Sequence, residues 1–427
     1  MILPANHPQR ITLNDEVHAR PPQPLRAPSR LSYLALLSPS DQRTKEWHSV
    51  SDLCRRFDAP APEPSANHHS ADFGPLRLIW ERHTEFARYT FVAQGEPDVD
   101  PPVGPALAAV PAEWIAALPG QMMVATHVEF VPHVEGATHE EIASRHFTGN
   151  QLIGAAIAGG AAFAFTDYRI HEDGFGRLLI QDRSMTPRQA GRMIQRLLEI
   201  DTYRMMALLA LPVAQEAAPF LVRCERDLTD IAIKLASAGE QDEPRLLDRL
   251  TALEAAIAGG SADNYFRFSA AVAYYELVQR RILDLREERL QGLQTFQEFI
   301  ERRLAPAMNT CRSVAARQDM LSSQVTRATQ LLSTRVNVTR ERQNQEVLSS
   351  MNQRAALQLR LQTTVERLSI AAVTYYVVGL VGYAAKALTS VGINVNAEIA
   401  MGVSIPVVVG LMALGVRSLH KLVVQHR

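Results

Sequence analysis

The chain has 427 residues, 47% of them apolar, and a formal net charge of −1 from 44 basic and 45 acidic side chains. That length can build at least two compact units, and the balanced charge excludes a general polyanion-binding surface, so no nucleic-acid partner is expected. Cys54, Cys224 and Cys311 stand far apart without CxxC or Cys/His metal spacing and read as reduced, mostly buried thiols of a cytoplasmic protein.

Residues 1–30 are rich in Pro, Arg and His, and Pro21, Pro22, Pro24 and Pro28 forbid a regular helix there. The start has no apolar run long enough for a secretory signal, so this part is expected to stay in the cytoplasm. From Arg30, RLSYLALL reads as a strand, and Asp41 to Phe57 as a short helix opening at the Ser40-Asp41 pair. The Pro/Ser/His stretch DAPAPEPSANHHSADFGP is expected to be an exposed loop. LRLIWERHT, FARYTFVAQG, Met122 to Val131 and Gly176 to Arg183 spell strands between turn signals. The Gly/Ala tract Gly154 to Ala164 fits a strand or a helix, since its length does not decide. The expectation for residues 1–185 is an α+β cytoplasmic domain.

A helical period sets in after Ser184. Thr186-Pro187 resembles a helix start, and the pattern continues to Pro212. Phe220 to Ala238, Leu246 to Ile257 (closed by Gly259-Gly260) and Tyr265 to Leu304 (ended by Pro306) complete a helical region over 186–308. Residues 309–367 contain no Gly or Pro, and Leu321, Val325, Ala328, Leu332 and Val336 recur at three- and four-residue steps. That spacing is the seam of a helix packing on another helix. Fully helical, the stretch would extend on the order of 85–90 Å. It is either packed on its own domain or a long stalk helix, and its uninterrupted entry into the next segment favours the stalk.

That segment, 368–416, holds two uncharged apolar runs, Leu368 to Ala385 and Ile399 to Val416. Each has about the 17–25 residues needed to cross a hydrocarbon core as a helix. Backbone groups in lipid must bond internally, so a transmembrane helical hairpin in the bilayer is expected. Arg354, Arg360 and Arg367 precede the first run, and Arg417, Lys421 and Arg427 lie in the basic tail, 417–427, whereas the turn offers only Lys386. The positive-inside rule then places both termini in the cytoplasm and the turn outside. Gly379, Gly382, Gly402, Gly410 and Gly415 allow close helix approach and suit a homo-oligomer.

Catalytic spacing is absent: there is no HExxH, GxSxG, GxGxxG or phosphate-binding Gly-Lys-Ser/Thr ending. The richest titratable cluster is His127, Glu129, His133, His139, Glu140, Glu141 and His146. Solvated loop and helix charges explain it better than a metal site, as they do His68, His69 and Asp72. Asp167, Arg169, Asp173, Asp182 and Arg183 read as paired surface groups rather than acid/base machinery. His18 and Arg20 are conspicuous beside prolines but suggest no chemistry. No enzyme is expected.

HPQRITLNDEVHARP, FTDYRIHEDGFGRLLIQDRSMTPRQAGRMIQRLLEIDTYRMMALLALP and SSMNQRAALQLRLQTTVERLSIAAVTYYVVGLVGY resemble a bacterial family of uncharacterised membrane-anchored proteins, a likeness that covers essentially the whole chain. The C-terminal architecture, a long helix entering the first of two spans joined by a short outer turn, is similar to the CorA-type divalent-cation channels. That family carries Gly-Met-Asn at the outer end of its first span. Gly392-Ile393-Asn394 stands at the comparable place, with Ile393 where the family has Met. The resemblance implies oxygens of Asn394, with Asn396 beside it, meeting a hydrated divalent cation such as magnesium. The plain alternative is that Gly392 and Asn394 simply make the turn. The leading expectation is CorA-like oligomeric divalent-cation transport, and the alternative is a membrane-tethered scaffold or sensor that binds a cytoplasmic protein partner.

Overall fold

Ser29–Leu37 forms β1, the strand about which the N-terminal sheet is laid out in this computed structural model, which describes residues 4, 6–11, 13–14, 22–95, 104–390, 392 and 395–425. Leu31, Tyr33, Leu34, Ala35 and Leu36 are all buried, because a central strand is covered on both faces. β1 pairs with β4 (Phe86–Gln94) and β5 (Gln121–Pro132) on either side. The remaining strands are β2 (His68–Asp72), β3 (Arg77–Arg82), β6 (Ile153–Ile157), β7 (Ala162–Thr166), β8 (Gly176–Asp182) and β9 (Glu288–Arg289). The nine-stranded order is β2-β3-β4-β1-β5-β8-β7-β6-β9. β5 and β8 run parallel, and every other pairing between these strands is antiparallel.

Helices cover both faces. On one side α1 (Arg43–Arg56) and α2 (Ala112–Ala116) bring Val50, Leu53, Cys54 and Trp114 onto Leu34, Leu78, Trp80 and Phe91. On the same side α3 (His139–His146) packs Ile142 with Phe147, Phe165 and Leu179. The other side is covered by α4 (Pro187–Leu208), which begins as its sequence announces, with Thr186 capping the Gln189 N–H at 3.3 Å and Pro187 at the first helical position. Its inner surface bonds the sheet through Tyr33 to Thr202 at 2.8 Å and Thr126 to Asp201 at 3.1 Å. The segment before β1 lies across this helix: the Leu25 N–H donates to the Pro187 carbonyl at 2.9 Å, and a Cβ at Gly191 would strike the Gln23 carbonyl.

Several elements depart from the sequence expectation. The Pro/His loop contains β2, recruited by pairing with β3. The Gly/Ala tract, which length left open between strand and helix, forms the β6–β7 hairpin, turned by Ala158, Gly159 and Gly160 at positive φ. Gly154 is small for a reason, since a Cβ there would meet Phe165 and the Ala164 carbonyl. α5 (Ala210–Ser237) takes Pro212 in its first turn and Pro219 inside. α6 (Glu243–Leu285) runs straight through Gly259-Gly260. Each glycine costs a helix about 1 kcal/mol, and the buried Leu253, Ile257 and Phe268 offset that. α7 (Phe296–Ser390) starts before Pro306 rather than after it. A Thr295–Glu298 capping box sets this start: each backbone N–H bonds the other's side chain at 3.2 Å, and Glu287 accepts from the Phe296 and Gln297 N–H groups.

Two compact units result. The first, residues 1–237 and 245–329, holds the sheet and the helices around it. The second, residues 238–244 and 330–427, holds the later part of α7 and α8 (Ala397–Gln425). Within it Arg335 binds the buried Glu243, and Gly382 of α7 admits Met401 of α8. By length and composition three helical stretches are apolar enough to cross a membrane: Pro187–Ser237, α7 and the Ala397–Gly415 part of α8. The first is part of the sheet unit, where Met206, Ala207, Ala210, Ala214 and Leu221 are buried. The apolar window of α8 is 0% buried.

Candidate functional site

β5 alternates between a buried face, Val124, Thr126, Val128 and Phe130, and a half-open face, Ala125, His127, Glu129 and Val131. The half-open face is the one shared with α1 and α3. Register brings chemistry to it from both neighbours: Arg30 of β1 stands opposite Glu129, and Arg177 of β8 opposite His127. Between the two apolar clusters this leaves a cleft of about 670 Å³, a size suited to a small ligand. Arg30, Glu129, Arg145, His146 and Gln181 supply its polar lining, and Val131, Pro132, Val134 and Ile142 an apolar wall.

The His146 Nδ1 lies 3.0 Å from the Glu129 carboxylate. That hydrogen bond, helped by the charges of His146, Arg30 and Arg177, holds the Glu129 carboxyl below its ordinary range against the opposing effect of burial. Glu141 is occupied too, in a capping box with Thr138. Arg30 gives one N–H to the Gly104 carbonyl at 2.6 Å, and neither Arg30 nor Arg145 forms an ion pair with an acidic side chain among the described residues. With both carboxylates committed, the cleft offers two guanidiniums to an anion.

Beside it, His127 stacks flat on Phe175 with centroids 3.9 Å apart, its Nδ1 3.0 Å from the Ser32 hydroxyl. Burial, then the Arg177 charge, push its pKa down to about 4, with Asp173 and Glu129 pulling the other way. It is a neutral imidazole built into the wall.

The remaining residues singled out in the sequence are dispersed. His133 bonds Gln181 at 2.9 Å, and His139 sits at the edge of Phe165. His69 bonds the Pro60 carbonyl, and Asp72 pairs with Arg77 at 2.8 Å. Asp167 is no surface group: it is buried and accepts from His171 and Asn150, both at 2.9 Å, so it orders its own turn. Among the described residues no group of three or more His, Cys, Asp or Glu side chains is placed to hold a metal ion. Gly392 lies in a turn at φ 95°, while Ile393, Asn394, His18 and Arg20 fall outside the described residues. Asn396 caps α8, accepting the Glu398 N–H at 3.0 Å.

Two groups escaped sequence reasoning. Arg30 and Arg145 are single arginines without a motif, and only strand register and helix placement bring them to one cleft. On the opposite face, Arg88 pairs with Glu81 and, at 3.3 Å, with Glu199, which also binds Arg281 and accepts from Gln195 at 2.8 Å. Arg88, Glu81 and Glu199 are all buried and far apart in sequence.

A mixed sheet flanked by helices, with a polar cleft on one face and long apolar helices at the end of the chain, defines the class of protein. The chain belongs to the family described as protein of unknown function (DUF3422), whose model matches residues 5–423. No curated protein and no solved structure matches it significantly.

Proposed function

We propose that this is a membrane-tethered sensor: the α7–α8 pair is an anchor, and the sheet unit binds a small organic anion in the cleft. The observation that carries the binding half is the cleft itself, where Arg30 and Arg145, neither in an ion pair with an acidic side chain among the described residues, stand beside an apolar wall. Planar guanidiniums suit carboxylate or phosphate groups, and the wall suits an apolar body attached to them. No catalytic step is assigned to the His146–Glu129 pair.

The anchor half is supported by the uncovered apolar window of α8 and the uncharged run of α7. The positive flanks favour cytoplasmic termini in a bacterial inner membrane. Support for an anchor over a conduit comes from the absence of charged side chains in the two runs, Leu368 to Ala385 and Ile399 to Val416, where Thr374 bonds the Ile370 carbonyl at 2.7 Å and Ser404 the Met401 carbonyl at 2.8 Å of their own helices. A conduction path is normally marked by charged or ionisable side chains such as Asp, Glu, Lys, Arg or His within the spans.

Titration calorimetry on the purified full chain tests the binding half, with phenylphosphate and phenylacetate as probes and inorganic phosphate and acetate as controls. Binding of the aromatic anions that is lost in Arg30→Ala and Arg145→Ala is the expected result. No binding, or binding indifferent to both substitutions, rejects it. Magnesium flux into liposomes that Asn394→Ala abolishes would instead establish the transport function.

A further inference from the structure

From residue 341 to 365 every side chain of α7 is exposed among the described residues. Val347, Met351, Leu361, Val365, Leu368 and Tyr375 lie on one row of alternating four- and three-residue steps, whose remaining positions are Arg354, Gln358 and Ala372. These side chains are all exposed. Further along the helix Thr374 and Ala385 are buried, on the side opposite this row. A repeat of about 3.5 residues is what a helix shows when its partner is another helix winding around it, because a straight single helix has no use for that period.

A second, independent observation lies on the same face. Tyr375 and Tyr376 are 78% and 72% exposed, and their hydroxyls have no hydrogen-bond partner among the described residues. Both sit about 10 Å inside the first apolar run, counting 1.5 Å per residue from Leu368. Lipid at that depth offers a phenol nothing to bond with, and an unmet hydroxyl there is costly.

We propose that α7 pairs in parallel register with α7 of a second copy of this chain along that seam, as the assembly in which the anchor works. Parallel register sets Tyr375 and Tyr376 beside the same tyrosines of the partner helix, where each phenol both donates and accepts. An identical partner is the one helix certain to carry hydroxyls at that depth and to enter the bilayer at the same point. Arg354 and Gln358, at seam positions in the water-exposed stretch, are the only polar interruptions between Val347 and Tyr375. Polar residues at a few such positions select register at some cost in stability, and a long Arg side chain reaches out to water. The tyrosine part of this proposal rests on the anchor proposed above; the Val347–Val365 part does not.

Oxidative crosslinking of full-length single-cysteine additions tests it, since Cys54, Cys224 and Cys311 are buried. Leu361→Cys lies on the seam, and Thr363→Cys on the opposite side of the same turn. The expected result is a species of twice the chain mass, several-fold more abundant for Leu361→Cys, which incorporates a co-expressed tagged copy. Equal yields at the two positions, or a crosslinked species of the chain plus a different protein, overturn the pairing. Recovery in the soluble rather than the membrane fraction overturns the anchor, while the ratio between the two positions still decides the pairing. Where the pairing holds, Tyr375→Phe with Tyr376→Phe keeps the ring bulk and should weaken the assembly in mild detergent. An unchanged assembly removes the tyrosines from the interface.

Discussion

His127 illustrates how a strand position converts a titratable group into a wall. Its ordinary pKa of 6.5 falls to about 4 in the fold, so between these values the unfolded chain binds a proton that the folded chain refuses. The contribution to stability is therefore fully present above 6.5 and is lost as pH falls toward 4. His127→Gln should flatten the thermal midpoint across that window, whereas the wild-type midpoint declines through it. Two parallel curves would show that another group sets the slope. Glu199 is a different case, a buried carboxylate set between Arg88 and Arg281. Removing it in Glu199→Ala leaves the buried Arg88 with Glu81 alone and one of its N–H groups unmet, for which a loss of about 1–3 kcal/mol is expected in denaturant unfolding. A change within the range of an ordinary surface substitution would mean that water already reaches the network.

At the scale of elements, starts and stops are decided by a few capping groups against the pull of intrinsic propensity. α7 shows it best. Pro306 looks like a boundary, yet the helix begins at Phe296 because Thr295, Glu298 and Glu287 satisfy its first N–H groups. Thr295→Ala should cost about 1 kcal/mol and raise amide hydrogen exchange in the first turn while leaving the helix beyond Pro306 protected. Uniform exchange along the helix would contradict this local role. α4 gives the matching test of close packing. Gly191→Ala puts a methyl into the Gln23 carbonyl, so the segment before β1 must move, with a loss on the order of 1–3 kcal/mol read from thermal unfolding. An unchanged midpoint would mean that this segment contributes little to the sheet unit.

At the scale of the whole molecule, the chain combines a sheet unit that buries its apolar residues with helices that do not. The apolar surface left uncovered on α8 is the feature on which the proposed anchor rests. Full-length protein is expected to resist alkaline carbonate extraction from membranes. A Leu380→Glu variant, with a charge inside the first apolar run, should extract or be degraded, while Leu283→Glu on exposed α6 surface should behave as wild type. Equal behaviour of the two variants would argue that neither helix meets hydrocarbon.

What the amino-acid sequence determined by itself is whatever local periodicity encodes. The alternation of MMVATHVEFV, the Thr186-Pro187 start of α4, the unbroken helical run after Asn309 and the two apolar stretches near the end are each legible because neighbours along the chain create them. Tertiary structure alone decided the rest. It chose strand over helix for Gly154 to Ala164, because β6 pairs with β7 and β7 in turn with β8. It also made β8 run parallel to β5, which carries Arg177 to His127. Of the candidate site, His127, Glu129 and His146 stood out as residue types, but the meeting of His146 with Glu129, and of Arg30 with Arg145, depends on strand register and on where α3 docks. Those are long-range contacts whose free energy no short window of sequence contains.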